Sequence, residues 1–93
     1  MKVLIDESFE KDIKRVTDKK LLNQIADCIE VIIETTKLSD ISACKKLAGS
    51  KNAYRIRIGN YRIGFIIENQ TIILIRFLRY RKQLLVDVMR RYY

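Results

Sequence analysis

The stretch YRIRIGNYRIGF, Tyr54 to Phe65, constrains the fold more than any other part of this chain. Tyr54, Ile56 and Ile58 alternate with Arg55 and Arg57. Gly59 and Asn60 then form a two-residue turn signal, after which Tyr61, Ile63 and Phe65 alternate with Arg62 and Gly64. A period of two on either side of such a turn specifies a β-hairpin. If Gly59 and Asn60 are the loop, Ile58 faces Tyr61, Arg57 faces Arg62, Ile56 faces Ile63, Arg55 faces Gly64 and Tyr54 faces Phe65. One face of the hairpin is then apolar and the other basic. Like charges directly opposite in a ladder repel, so stability alone does not account for Arg57 against Arg62. Arg55 beside Gly64, which has no side chain, is expected to leave a hollow suited to a phosphate. The competing explanation is a solvated face that uses arginine for its long apolar stem.

The rest of the chain supplies the elements that cover this hairpin. Lys2 to Ile5 is a short β-like run, and Asp6 or Ser8 can cap the helix that follows. Phe9, Ile13 and Val16 are its apolar stripe. Asp18 opens a second helix with Leu21, Leu22, Ile25, Ile29, Ile32 and Ile33 at helical spacing, and the short connection predicts a helical hairpin. Residues 35–52 read as a connector pinned by Leu38, Ile41 and Leu47 and ending near Gly49. A third strand of the sheet spans Ile72 to Leu78, and Leu84, Leu85 and Val88 mark a short C-terminal helix. The expected class is α+β in the order β-α-α-β-β-β-α, with the helices on one face of a small, mainly antiparallel sheet. Without repeats, proline or low-complexity segments, residues 1–93 read as a single domain. Arg76 joins the basic face if the loop after Ile67 has three residues, and turns to the core if the loop is even.

Charge is divided unevenly. Residues 1–44 carry 7 basic and 9 acidic side chains, a net of −2, whereas residues 45–93 carry 12 basic and 2 acidic, a net of +10. A block of one sign attracts polyanions by releasing their counterions. Histidine is absent, so the usual general base near neutral pH and the commonest metal ligand are both missing. Cys28 and Cys44 have neither CxxC spacing nor histidine partners, so no metal site, cofactor or disulfide is expected. No apolar run approaches the roughly 20 residues of a membrane span, and MKVLIDESFEKD turns acidic where a secretion signal stays apolar. The expected location is the cytoplasm, away from any membrane.

KKLAGSKNAYRIRIGNYRIGF, followed by IILIRFLRYRK, resembles the sheet region of the RelE/ParE superfamily of bacterial toxin–antitoxin toxins, and the two preceding helices lie where that family has its helical hairpin. The resemblance implies a toxin that enters the ribosomal decoding site, cleaves messenger RNA, and is neutralised by a cognate antitoxin, here expected to be acidic and to fold on binding. Carried over by position, it assigns catalysis to Arg55, Arg57 and Arg62 and to one basic residue after the last strand, among Arg79, Arg81 and Lys82, of which Arg81 is taken. Lys45, Lys46, Lys51, Arg76, Arg79, Tyr80 and Lys82 complete the expected RNA-binding surface. Two departures stand out. Relatives with nuclease activity often carry an aromatic residue in the final helix, where this chain has Leu84, Leu85 and Val86, so Tyr80, Tyr92 or Tyr93 would have to replace it. Arginine also stands where some relatives use lysine on the second strand, and arginine is a poor general base because it stays protonated up to a pKa of about 12. The alternatives are a ParE-like inhibitor of DNA gyrase and a non-catalytic homologue that only binds its antitoxin.

Overall fold

A computed structural model describes residues 1–93. Strand β1 (Lys2–Ile5) leads into helices α1 (Glu7–Lys14) and α2 (Lys19–Glu34). These are followed by strands β2 (Cys44–Lys46), β3 (Ala53–Ile58), β4 (Tyr61–Glu68) and β5 (Thr71–Arg79), and by helix α3 (Leu84–Met89). The five strands form one sheet in the order β1-β5-β4-β3-β2, with β1 parallel to β5 and the other pairs antiparallel.

The helix starts follow their caps. The Asp6 carboxylate accepts from Ser8 N at 3.0 Å, and the Asp18 carboxylate from Lys20 N at 2.9 Å and Leu21 N at 3.3 Å, satisfying amides that have no partner within the helix. Both hydrogen bonds that Asp6 accepts from Ser8, side chain first and backbone second, hold its carboxyl below the usual range.

The hairpin register is the one that the turn dictates: Arg57 opposes Arg62, and Arg55 opposes Gly64. Three features depart from the sequence expectation. The first is β2, a three-residue strand inside the segment read as a connector, which pairs with Cys44 opposite Ile56 and Lys45 opposite Arg55. So short a strand has too few residues to show alternation. The second is the position of α3. Helices α1 and α2 cover one face through a core containing Phe9, Ile25, Ile32, Ile63, Phe65, Ile72, Leu74 and Phe77, whereas Leu85 and Met89 of α3 join Leu47, Ala53, Ile66 and Ile75 on the opposite face. The helices are therefore not all on one face. Burial of each such side chain is worth roughly 1.5–3 kcal/mol, so both faces contribute to the core.

The third departure resolves the orientation of Arg76. Asn69 and Gln70 both adopt left-handed backbone, giving a two-residue loop, and even parity would turn Arg76 toward the α1 and α2 core. A β-bulge between Gly64 and Phe65 intervenes. Phe65 opposes Leu74 while Gly64 opposes Arg76, so Ile75 is the extra residue and Arg76 returns to the face of Gly64.

Candidate nucleic-acid interface

The pleat and the register together decide which basic residues share a surface. Lys45, Arg55, Gly64 and Arg76 form one row across β2, β3, β4 and β5, and Arg57 and Arg62 form the adjacent row. Gly64 does not leave a hollow. A Cβ built on it would lie 2.9 Å from both Leu85 Cδ1 and Met89 Sδ, so α3 occupies that space and rests directly on the backbone. The helix splits the basic row in two, and the halves differ in their partners.

On the β5 side Arg76 is consumed by a structural pair. Its Nε donates to Asp12 Oδ2 at 2.7 Å and its Nη2 to Asp12 Oδ1 at 3.1 Å, a bidentate contact in which the carboxylate is nearly buried. Asp12 Oδ2 also accepts from Phe77 N at 2.9 Å. Asp6 N donates to Leu74 O at 2.9 Å, and Ser8 Oγ lies within hydrogen-bond reach of Ile75 O. Helix α1 and its cap thus close the edge of β5 beyond the last β1 pair, satisfying backbone groups that a bare edge would expose. Hydrogen bonding to Asp12 raises the Arg76 pKa. This arginine is therefore not part of a free RNA-binding surface.

On the β3 and β4 side the arginines have no acid. The ion pairs of the molecule are Lys11–Glu7, Arg76–Asp12 and Arg90–Asp87, and none involves Arg55, Arg57 or Arg62. Arg57 is exposed, and Arg55 and Arg62 are half-buried. Arg62 Nη1 donates to Tyr61 O at 2.9 Å and Gly59 O at 3.2 Å, while its Nε is buried with no partner. Its guanidinium carbon lies 4.3 Å from the centroid of the Tyr80 ring, a cation–π stack. Burial first, and then repulsion from Arg55 and Arg57, push the Arg62 pKa down. Ala43, Cys44, Lys45, Arg55 and Arg57 line a cleft of about 330 Å³ at the β2 edge. Asp27 shares a neighbouring cleft with Arg57 without pairing to it.

The structure gathers Lys45, Arg55, Arg57, Arg62 and Tyr80 on one face, with exposed Arg81 and Lys82 in the turn just after Tyr80. Leu84 N donates to Arg81 O at 3.1 Å in that turn, and Gln83 takes a φ of 69°. Other expected residues lie elsewhere. Lys46 opposes Tyr54 and Arg79 opposes Tyr61, so the pleat sends both toward the face of the first two helices. Lys51 lies in the turn between β2 and β3, at the opposite end of β3 from Gly59. Among the three tyrosines considered, Tyr80 is the one brought over the basic face; Tyr92 packs beside α3, and Tyr93 Oη donates to Ala48 O at 3.4 Å. Asp12 was missed as a determinant of the site, and Gly64, read as a hollow, is the seat of α3. Asp12 shows no signal beyond being an acid on a helix, and the face of Tyr80 is set by the same bulge that re-aims Arg76, which the sequence does not mark.

Comparison with known proteins identifies the family and the fold. Residues 3–84 match the family model described as the ParE toxin of the type II toxin–antitoxin system parDE. Toxin RelE3 of Methanocaldococcus jannaschii is 42% identical over 79 residues, which span 84% of this chain and 89% of that protein. The crystal structure of the RelB-RelE antitoxin–toxin complex from Methanococcus jannaschii contains a chain with 32% identity and a TM-score of 0.73, matching 97% of this chain and 98% of that one. A chain of the archaeal RelE-RelB complex from Pyrococcus horikoshii OT3 shares the fold at 17% identity and a TM-score of 0.69, over 84% of this chain and 92% of that one. With the family model spanning most of its length and a relative this similar, the chain belongs to the RelE/ParE superfamily of type II toxin–antitoxin toxins.

Proposed function

We propose that this toxin is a ribosome-dependent messenger RNA endoribonuclease of the RelE type, acting in the cytoplasm as one domain and neutralised by a cognate antitoxin. The observation that carries this reading is the pair Arg57 and Arg62, opposed across the ladder without an acid partner and flanked by Arg55, Lys45 and a stacked Tyr80. Cleavage of RNA through its own 2′-hydroxyl forms a bond from that oxygen to phosphorus and breaks the bond to the 5′-oxygen of the next nucleotide. The phosphate gains charge as this happens, and fixed guanidinium groups stabilise it without reorganising. Arg57 and Arg55 do this from the sheet, and Arg81 from the turn that follows. The 2′-hydroxyl must also lose a proton and the leaving oxygen gain one. Arginine serves neither step well, and the chain has no histidine. Water or groups of the ribosome carry those protons in this account, which makes the ribosome a chemical requirement as well as the place where message is found.

The family model bears the name of the gyrase-directed branch, so inhibition of DNA gyrase is the second reading. One pair of assays separates them. Purified toxin added to a translating extract cuts transcripts within codons on ribosomes and leaves gyrase supercoiling intact. Unbroken transcripts at doses that stop translation would remove the nuclease reading, and poisoned supercoiling would replace it with the second.

The antitoxin binds through an acidic segment that folds against the sheet edge, the helical hairpin or both, placing carboxylates near Arg55, Arg57, Arg62 or Arg81. The RelB-RelE complex of a relative with its antitoxin supports a cognate partner.

A further inference from the structure

We propose that Tyr80 is a stacking platform for a nucleobase of single-stranded RNA, and that Arg62 is the positioning residue that holds the ring flat. The proposal rests on the nucleic-acid reading of this face and changes the role of Arg62 within it. Arg62 is the arginine least free to meet a phosphate. Of its five N–H groups, two on Nη1 are directed at the Tyr61 and Gly59 carbonyls and one on Nε is buried without a partner. Those contacts fix the plane of the guanidinium, and the Tyr80 ring lies over it at 4.3 Å. The Tyr80 backbone is fixed as well, because its N donates to Asn60 O at 2.7 Å in the same turn whose Gly59 carbonyl pins Arg62.

A ring so held is buttressed by the guanidinium and still leaves much of its surface to solvent. Tyr80 is 54% exposed and is the only aromatic among the exposed large hydrophobic residues; Leu4, Ile5, Val31 and Ile33 lie on β1 and α2 instead. An exposed aromatic plane beside a basic surface is the arrangement with which proteins bind unpaired nucleotides, the ring taking a base face and the cations the backbone. Arg57 and Arg81 are exposed and unpaired, and they supply the phosphate contacts. Stacking needs the ring and not the hydroxyl. Phenylalanine must therefore replace Tyr80 without loss, which separates this role from proton transfer by the phenol.

The test measures binding of the purified protein to an unstructured hexaribonucleotide and to versions lacking the base at each position in turn. Wild-type protein is expected to lose affinity on the order of 10-fold or more when one particular base is absent. Tyr80→Ala should bind the intact oligomer about 10- to 100-fold more weakly and be indifferent to the missing base, with an unchanged melting temperature. Tyr80→Phe should match wild type within about 2-fold, because it keeps the stacking plane. Arg62→Lys keeps the charge but loses the planar fork; it should weaken binding in the wild-type background and have no further effect in Tyr80→Ala. Wild-type affinity for Tyr80→Ala, equal losses for Tyr80→Phe and Tyr80→Ala, or an Arg62→Lys loss of the same size in both backgrounds would each overturn the proposal. Cleavage in the translating extract is scored separately. If wild-type protein binds in the expected pattern but cuts nothing, the nuclease reading fails and the platform stands.

Discussion

Arg57 and Arg76 are the same side chain on the same face of one sheet, and they have opposite fates. Arg76 is clamped by both oxygens of Asp12, which also takes the Phe77 amide, so its charge is neutralised and its geometry belongs to the edge of β5. Arg57 faces Arg62 across the ladder and has no acid within ion-pair distance. Between the two patches sits α3, resting on Gly64. The difference shows that a basic residue on this sheet keeps its charge free for an outside ligand only where the fold withholds a carboxylate. An unpaired like-charge ladder carries a cost, and a bidentate pair closing an edge contributes stability.

That contrast can be broken most forcefully at Asp12. Asp12→Ala leaves a partly buried guanidinium and the Phe77 amide without their acceptor and should cost about 3 kcal/mol in urea unfolding. A loss below about 0.5 kcal/mol would mean that the pair is ornamental. Arg57→Ala tests the other patch. It should lower messenger RNA cleavage by about 100-fold, the scale of removing one preorganised charge donor, while changing stability by no more than about 0.5 kcal/mol. Arg62→Ala is a less clean probe, because that side chain also anchors the Gly59 turn and Tyr80.

The divider between the patches yields a smaller effect. Gly64→Ala places a methyl 2.9 Å from Leu85 and Met89, and the resulting displacement of α3 should cost about 1–3 kcal/mol. Differential scanning calorimetry of the variant checks this, and a melting temperature equal to wild type would show that α3 is loosely seated.

The mildest prediction concerns Cys44, on the other side of β2 from Lys45. Burial pushes its thiol from an ordinary 9.0 up to about 11, against the lowering influence of Arg55. Alkylation of the folded protein at Cys44 should rise to half its maximum near pH 11, and in the urea-unfolded chain near 9.0. A folded-state value raised above the unfolded one contributes stability that is complete below pH 9.0, declines as pH rises above that, and is gone past 11. A folded-state midpoint at 9.0 would contradict the burial of this edge.

How much of this was legible in the sequence depends on the range of the interactions concerned. The hairpin register followed from Gly59 and Asn60 and the alternation around them, because turn geometry and the pleat act locally. The helix caps at Asp6 and Asp18 were legible for the same reason. Strand β2 was not, since its three residues pair only because β3 offers an edge. The orientation of Arg76 was out of reach because a bulge at Ile75 reverses the parity that loop length alone would set. Its partner is 64 positions away in sequence, and nothing local marks Asp12 as that partner. The expected hollow at Gly64 was wrong for a related reason: the missing side chain made room for α3, which sequence reading had placed on the other face.

The central claim, that the unpaired patch is the working surface and the paired one is scaffold, is tested most directly by messenger RNA cleavage in a purified translation system. Wild-type, Asp12→Ala and Arg57→Ala proteins are compared at one temperature below all three unfolding midpoints. The account predicts cuts within codons of ribosome-bound message for wild type and for the less stable Asp12→Ala, and almost none for Arg57→Ala despite its wild-type melting temperature. Equal cleavage by Arg57→Ala, or loss of cleavage in folded Asp12→Ala, would contradict it.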